Sequence, residues 1–228
     1  MEYSIARGEL SPRSKAEHNS RRRRRRGPSR EIALIGTPNV GKSALFNILT
    51  GGKAVVSNYP GTTVEVTRGR LSSCEVAEGV VDTPGMYSLM PITEEERIAR
   101  RLLLEERPDL ILHVIDAKNL KRMLNLTLQL IEAGLPVIAV VNMIDEAKRL
   151  GIEIDFQKLE NILGIPVVPT SAATGEGIER LKRILEGAPF YSKRQRRESA
   201  QNPPITYDPW IEERVTKIEE LLSNSYPL

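Results

Sequence analysis

Eight residues constrain this chain more than any others. Gly36-Thr37-Pro38-Asn39-Val40-Gly41-Lys42-Ser43 fits the pattern G-x-x-x-x-G-K-[ST], and the apolar run Ile32-Ala33-Leu34-Ile35 before it supplies the strand from which such a loop springs. Glycines let the backbone curl until successive N–H groups converge, and a helix opening at Ser43 turns its positive end toward the same point. The pattern predicts a cradle for the phosphates of a nucleoside triphosphate, built from Gly36, Pro38, Asn39, Val40, Gly41, Lys42, Ser43 and Ala44. Lys42 is expected on the β- and γ-phosphates and the Ser43 hydroxyl on Mg²⁺. The bland reading of so short a pattern is a glycine-rich turn without a ligand; further motifs in a fixed order count against it.

The run Gly79-Val80-Val81-Asp82-Thr83-Pro84-Gly85 ends a second strand in an acid, placing Asp82 where it can meet Mg²⁺ through water. Gly85, with no Cβ, can bring its N–H up to a γ-phosphate and let the following loop change shape when that phosphate leaves. Alone, D-x-P-G is a turn signal. Between these motifs runs Asn58-Tyr59-Pro60-Gly61-Thr62-Thr63-Val64-Glu65, polar and punctuated by Gly and Pro. It has the make-up of a switch segment: Gly61, Thr62 and Thr63 approach the nucleotide, and Thr63, chosen over Thr62, puts its hydroxyl on Mg²⁺ while triphosphate is bound. A solvent loop closing a hairpin is the alternative.

The apolar strand Pro136-Val137-Ile138-Ala139-Val140-Val141 delivers Asn142-Met143-Ile144-Asp145 at its C-terminal end, where ligands of open parallel sheets bind. A carboxylate only accepts hydrogen bonds, so Asp145 suits guanine, which presents N1–H and N2–H₂ donors; adenine presents an acceptor at N1. Asn142 is expected to tie this loop to the phosphate loop and the base N7, with Met143 beside it. Ser171 and Ala172, followed by Ala173, come after the strand Pro166-Val167-Val168-Pro169-Thr170 and would offer a backbone N–H to guanine O6.

Apolar strand candidates near 31–36, 79–82, 110–116, 137–142 and 166–170 alternate with helical patterns from Glu31 onward, which predicts an α/β P-loop NTPase fold: a mostly parallel six-stranded sheet with helices on both faces and 64–71 as its antiparallel edge. His113, at a strand centre, reads as a core residue with a satisfied hydrogen bond rather than a catalyst. Residues 1–30 differ in kind. Arg21 to Arg26 form an uninterrupted block, expected to be disordered and able to grip nucleic acid or anionic lipid headgroups, or to have no partner at all. Removing that tail turns the formal net charge of +3 negative. One cysteine, Cys74, excludes a disulfide framework, and no apolar run approaches the ~20 residues of a membrane span, which reads as a soluble, cytoplasmic chain. The chain divides into the tail, a nucleotide-binding domain at 31–187, and a linker with a short helical appendage at 188–228. In the appendage Asp208 caps a helix starting at Pro209, with Ile211, Val215, Ile218 and Leu222 on one stripe.

Taken in order, G-x-P-N-x-G-K-S, N-Y-P-G-T-T-V-E, D-T-P-G-M-Y-S-L, N-M-I-D and S-A-A-T-G-E-G resemble the N-terminal GTPase domain of the ferrous iron transporter FeoB family, an Era-like GTPase group, over Glu31 to Glu186. Asn125-Leu126-Thr127-Leu128-Gln129-Leu130 adds to the likeness; Thr83 departs from the family's usual D-L-P-G. The resemblance implies GTP and GDP as ligands, hydrolysis of GTP to GDP and phosphate, and, in full-length relatives, a membrane permease region on whose cytoplasmic face this domain works. It also implies a K⁺ ion held by Asn39, serving in place of an arginine finger. Met86 stands where small signalling GTPases place a water-orienting glutamine, so intrinsic turnover should be slow. Turnover would rest on Asn39, Lys42, Thr63 and Gly85. Two other functions stay open: a ribosome- or RNA-associated GTPase, and a GTP-binding module that does not hydrolyse. Whether the chain forms an oligomer is open too.

Overall fold

The computed structural model describes residues 30–72, 78–187 and 208–225. The Arg21–Arg26 block, Cys74 and the linker before Asp208 lie outside them.

Strand order is dictated by burial. The segments most continuously apolar occupy the middle of the sheet: β1 (Arg30–Ile35), β5 (Leu110–Asp116) and β6 (Val137–Asn142). β4 (Glu78–Asp82) and β5 flank β1 in parallel, and β6 and β7 (Val167–Pro169) follow, also parallel. β3 (Glu65–Arg70) joins β4 antiparallel, and β2 (Ala54–Asn58) joins β3 antiparallel, giving the order β2-β3-β4-β1-β5-β6-β7.

The sheet therefore has seven strands, not six, and the 64–71 segment is not its edge. The edge is Ala54–Asn58, exposed along its whole length. Its short, two-sidedly wet sequence has no alternation of apolar and polar residues, which is the signal that betrays a half-buried strand.

Side chains alternate across β1 with the two-residue period of a strand. Ile32 and Leu34 join α1 (Lys42–Thr50) and α6 (Ile178–Gly187) in one core with Phe46, Leu49, Leu181 and Leu185. Ala33 and Ile35 face the other side. There they meet α2 (Glu94–Arg101, continued as a π-turn to Glu106) and α3 (Leu120–Glu132) through Ala99, Leu103, Leu126 and Leu130. Beneath β6, Ala147 of α4 (Ile144–Arg149) and Leu163 of α5 (Phe156–Leu163) close that layer. Helices thus cover both faces, as read from the sequence.

α7 (Pro209–Ser225) begins at its proline, as expected; of its stripe, Val215 and Ile218 are exposed. His113 is also as expected: it is buried on β5, with Nδ1 2.9 Å from Thr127 Oγ1. The parallel topology sends the C-terminal ends of β1, β4, β5, β6 and β7 to one rim.

Candidate functional site

At that rim the first loop is shaped by two backbone demands. Gly36 has φ +152°, and a Cβ there would lie 2.3 Å from the Val114 carbonyl; Gly41 has φ +89°, and a Cβ would meet Asn142 Nδ2 at 2.3 Å. Only glycine passes both points. Asn39 also adopts a left-handed conformation, at φ 64°, and with Pro38 is exposed at the loop's tip. Val40 is buried and Ala44 exposed. Helix α1 starts at Lys42, one residue before the expected Ser43, with no side chain capping its first amides and no acid in its first turn. Its N-terminal N–H groups are thus left for something outside the chain.

Lys42 is 8% exposed, and its ammonium donates to the carbonyls of Gly36 (3.2 Å) and Thr37 (3.1 Å). Burial pulls its pKa below the ordinary lysine value, against the pull of nearby Asp82. Asp82 shows the mirror image: burial raises its carboxyl, while Ser43 and Lys42 draw it down. Ser43 Oγ donates to Asp82 Oδ2 at 2.7 Å, and the other oxygen, Oδ1, is buried with no hydrogen-bond partner. A dry carboxylate oxygen beside a hydroxyl offers the oxygen ligands of a hard divalent cation, and the open helix end next to them favours the anion such a cation would accompany. The residues present therefore fit Mg²⁺. Among the described residues no cluster of three His, Cys, Asp or Glu offers a different metal site.

Gly85 sits directly against the phosphate loop: a Cβ there would meet the Pro38 ring at 2.7 and 2.8 Å. The next amide, Met86 N–H, donates to the Gly36 carbonyl at 3.1 Å, while the Met86 side chain is fully buried in the core. Thr83, the departure from D-L-P-G, gives its hydroxyl to the Leu34 carbonyl at 2.8 Å. In the 58–65 loop, Thr62 Oγ1 donates to the Tyr59 carbonyl (3.0 Å) and accepts from Val64 N–H (3.3 Å). Thr63, the residue expected on Mg²⁺, and Gly61 are exposed.

Asn142 is buried and does what its motif predicted, donating from Nδ2 to the Val40 carbonyl at 2.9 Å. Its Oδ1 accepts from Thr170 Oγ1 (3.3 Å) and from Ala172 N–H (3.0 Å). The Ala172 amide is thus engaged inside the loop, and Ala173 beside it is exposed. Met143 holds a left-handed turn, φ 63°, before α4. The Ser171 hydroxyl beside Asp145 holds that carboxyl below the usual aspartate range, and Ser171 Oγ accepts from Thr174 N–H at 3.2 Å. Lys148 of α4 reaches Glu176 at 2.6 Å, a second tie between the Asp145 and Ser171 loops that no motif announced.

Residues 30–185 match the model of the family described as Ferrous iron transport protein B. The chain belongs to this family. It is 41% identical over 198 residues to the Fe(2+) transport protein A/Fe(2+) transporter FeoB fusion protein of Porphyromonas gingivalis, covering 86% of this chain and 24% of the relative. To the Fe(2+) transporter FeoB of Salmonella typhimurium it is 44% identical over 159 residues, 68% of this chain and 21% of the relative. The chain thus spans about a quarter or less of these FeoB proteins. Among solved structures, an S. thermophilus NFeoB mutant bound to GDP superposes with a TM-score of 0.76 at 41% identity, over 87% of this chain and 74% of that one. The G domain of the T. maritima FeoB iron transporter superposes with a TM-score of 0.64 at 44% identity, over 70% and 99%. The fold is the P-loop fold of FeoB G domains. No helix among the described residues is long and apolar enough to cross a membrane.

Proposed function

We propose that this domain binds and hydrolyses GTP, with loops around Thr63 and Gly85 reporting the γ-phosphate to the rest of an iron-transporting protein at the cytoplasmic face of its membrane. The observation that carries the reading is the unpartnered, buried Asp82 Oδ1 beside Ser43 Oγ and the desolvated Lys42. The domain occupies residues 31–187, with 188–228 a linker and the start of a helical region. A neighbouring solved structure carries GDP and AlF4⁻ on an S. thermophilus NFeoB.

In this reading the uncapped amides of α1 and the Gly36–Ser43 backbone surround the β-phosphate, and Lys42 turns from the Gly36 and Thr37 carbonyls to the β- and γ-oxygens. Ser43, Asp82 (through water) and Thr63 would hold Mg²⁺, which when bound neutralises charge on the β- and γ-oxygens. Asn39 would hold K⁺ at the tip of the same loop. Gly85 presents its N–H to the γ-phosphate, and Pro38 beneath it fixes how near the loop comes. Asp145 accepts from guanine N1–H and N2–H₂; Asn142 reaches N7, and a backbone N–H of Ser171, Ala172 or Ala173 reaches O6. The core position of Met86 leaves no side chain there to align water, so turnover is slow without a cation at Asn39. GTP hydrolysis measured in K⁺ and in Na⁺, for the native chain and Asn39→Ala, tests this: a K⁺ preference of at least about tenfold that the substitution abolishes is expected. Equal rates in both salts would remove the cation role, and absence of guanosine-nucleotide binding would remove the reading itself.

A further inference from the structure

Glu96 belongs to none of the nucleotide motifs, yet it is 6% exposed, and a carboxylate seldom leaves water without partners. Its partners are main-chain amides. Oε1 accepts from Tyr87 N–H at 3.2 Å, and Oε2 accepts from Ile92 N–H at 2.8 Å and Thr93 N–H at 3.3 Å. The Thr93 bond is half of a capping box, completed by Glu96 N–H donating to Thr93 Oγ1 at 3.2 Å. A capping box asks for nothing more. The bonds to Tyr87 and Ile92 instead reach into the loop that leaves Gly85. From α3, Gln129 Oε1 accepts from Leu89 N–H at 2.7 Å in the same loop.

Packing holds this segment at Met86, which is buried, and at Leu89, which rests on the same core, but not at Tyr87, Met90 and Ile92, which are 54%, 78% and 84% exposed. Between and beyond those two anchors its backbone is held by acceptors on neighbouring helices. The order along the chain is telling: Gly85 rests on Pro38, Met86 N–H donates to the phosphate-loop carbonyl of Gly36, and Tyr87 N–H donates to Glu96. Successive amides are fastened first to the phosphate loop and then to α2. We propose that Glu96 is a positioning residue, holding the Gly85–Thr93 segment where Gly85 can meet a γ-phosphate. The inference rests on the GTP-switch reading and adds a residue outside its motifs.

The chemistry calls for a carboxylate. Two oxygens accept on two sides, whereas a carboxamide has one acceptor oxygen and would set its NH₂ against an amide N–H. Glu96→Gln is therefore a near-isosteric probe, and Thr93→Ala removes the helix cap without touching the loop bonds. Exposed Glu94→Gln controls for charge in the same turn. Two readouts are compared: hydrogen exchange of the nucleotide-free protein over residues 86–93, and affinity for fluorescent GDP against a non-hydrolysable GTP analogue.

Glu96→Gln should speed exchange in that stretch and weaken the GTP analogue about tenfold while GDP changes less than about twofold, because only the triphosphate reaches Gly85. Thr93→Ala should lower the melting temperature and leave the ratio of affinities alone. The proposal is overturned if Glu96→Gln weakens both nucleotides alike, weakens neither, or is matched in selectivity by Thr93→Ala. Should Glu96→Gln fail to fold, Glu96→Asp, which keeps both oxygens but draws them back, should show the same selective loss. If the native chain binds no guanine nucleotide the switch reading fails by itself, and unchanged exchange in Glu96→Gln then refutes the anchoring role separately.

Discussion

Replacing Asn142 by alanine should be among the costliest single changes at the site, and its cost can be worked out without any nucleotide. The carboxamide is 1% exposed and serves Val40, Thr170 and Ala172. The Thr170 hydroxyl can rotate toward another acceptor, but the Val40 carbonyl and the Ala172 amide belong to fixed backbone. Each buried backbone group left without a partner costs roughly 1–3 kcal/mol, so the two together cost about 4 kcal/mol. That is a large part of the ~5–15 kcal/mol available to a domain of this size. Urea unfolding followed by circular dichroism should show the midpoint falling by about 2 M if the slope is near 2 kcal/mol per molar, with the slope unchanged. Asn142→Asp separates the two ends of the side chain. It keeps acceptors for Thr170 and Ala172 but turns an oxygen on the Val40 carbonyl, and should lose at least about 2 kcal/mol. A midpoint within about 0.5 M of the native chain for Asn142→Ala, or a neutral Asn142→Asp, would refute the claim that this side chain joins the two loops.

Two other outcomes follow from contacts already described. Gly85→Ala places a methyl 2.7 Å from the Pro38 ring, so the loop must lift from the phosphate loop; GTP turnover should fall about a hundredfold while GDP affinity stays within about threefold, and retention of turnover would exclude the close approach. Burial lowers the His113 pKa from 6.5 to about 3, so the unfolded chain binds the extra proton between those values and stability present above pH 6.5 is lost as pH falls. At pH 5 that amounts to about 2 kcal/mol from this one group, and His113→Phe should flatten the corresponding limb of a plot of stability against pH from 7.5 to 5.

Much of the site was legible because its chemistry restricts residue type at fixed spacing. Gly36, Gly41, Lys42, Ser43, Asp82 and Asn142 stand where the motifs put them, and Asn142 makes its predicted tie to the phosphate loop. What escaped depends on distances that no local pattern encodes. Arg68 links Glu31 and Glu106, residues 37 and 38 positions away, and the Tyr59 hydroxyl meets the same Glu106. Such a network exists only once β1, β3 and α2 are in register. The edge strand Ala54–Asn58 escaped because nothing covers it on either face. The bond from the Ala172 amide to Asn142 escaped because a motif cannot say which of two consecutive amides a neighbouring side chain engages. Glu96 was half visible: Thr93-Glu94-Glu95-Glu96 carries the S/T-x-x-E signature of a helix start, but not the reach back to Tyr87.

The tether of Lys42 to the carbonyls of Gly36 and Thr37 bears on speed as well as strength. An ammonium out in solvent would have to shed its hydration shell as an anion arrived; here folding has already removed that water and substituted two main-chain dipoles. Capture of a phosphate then becomes, for this ammonium, an exchange of neutral oxygens for charged ones, and the free-energy penalty of drying the cation falls on assembly of the domain rather than on each round of ligand entry.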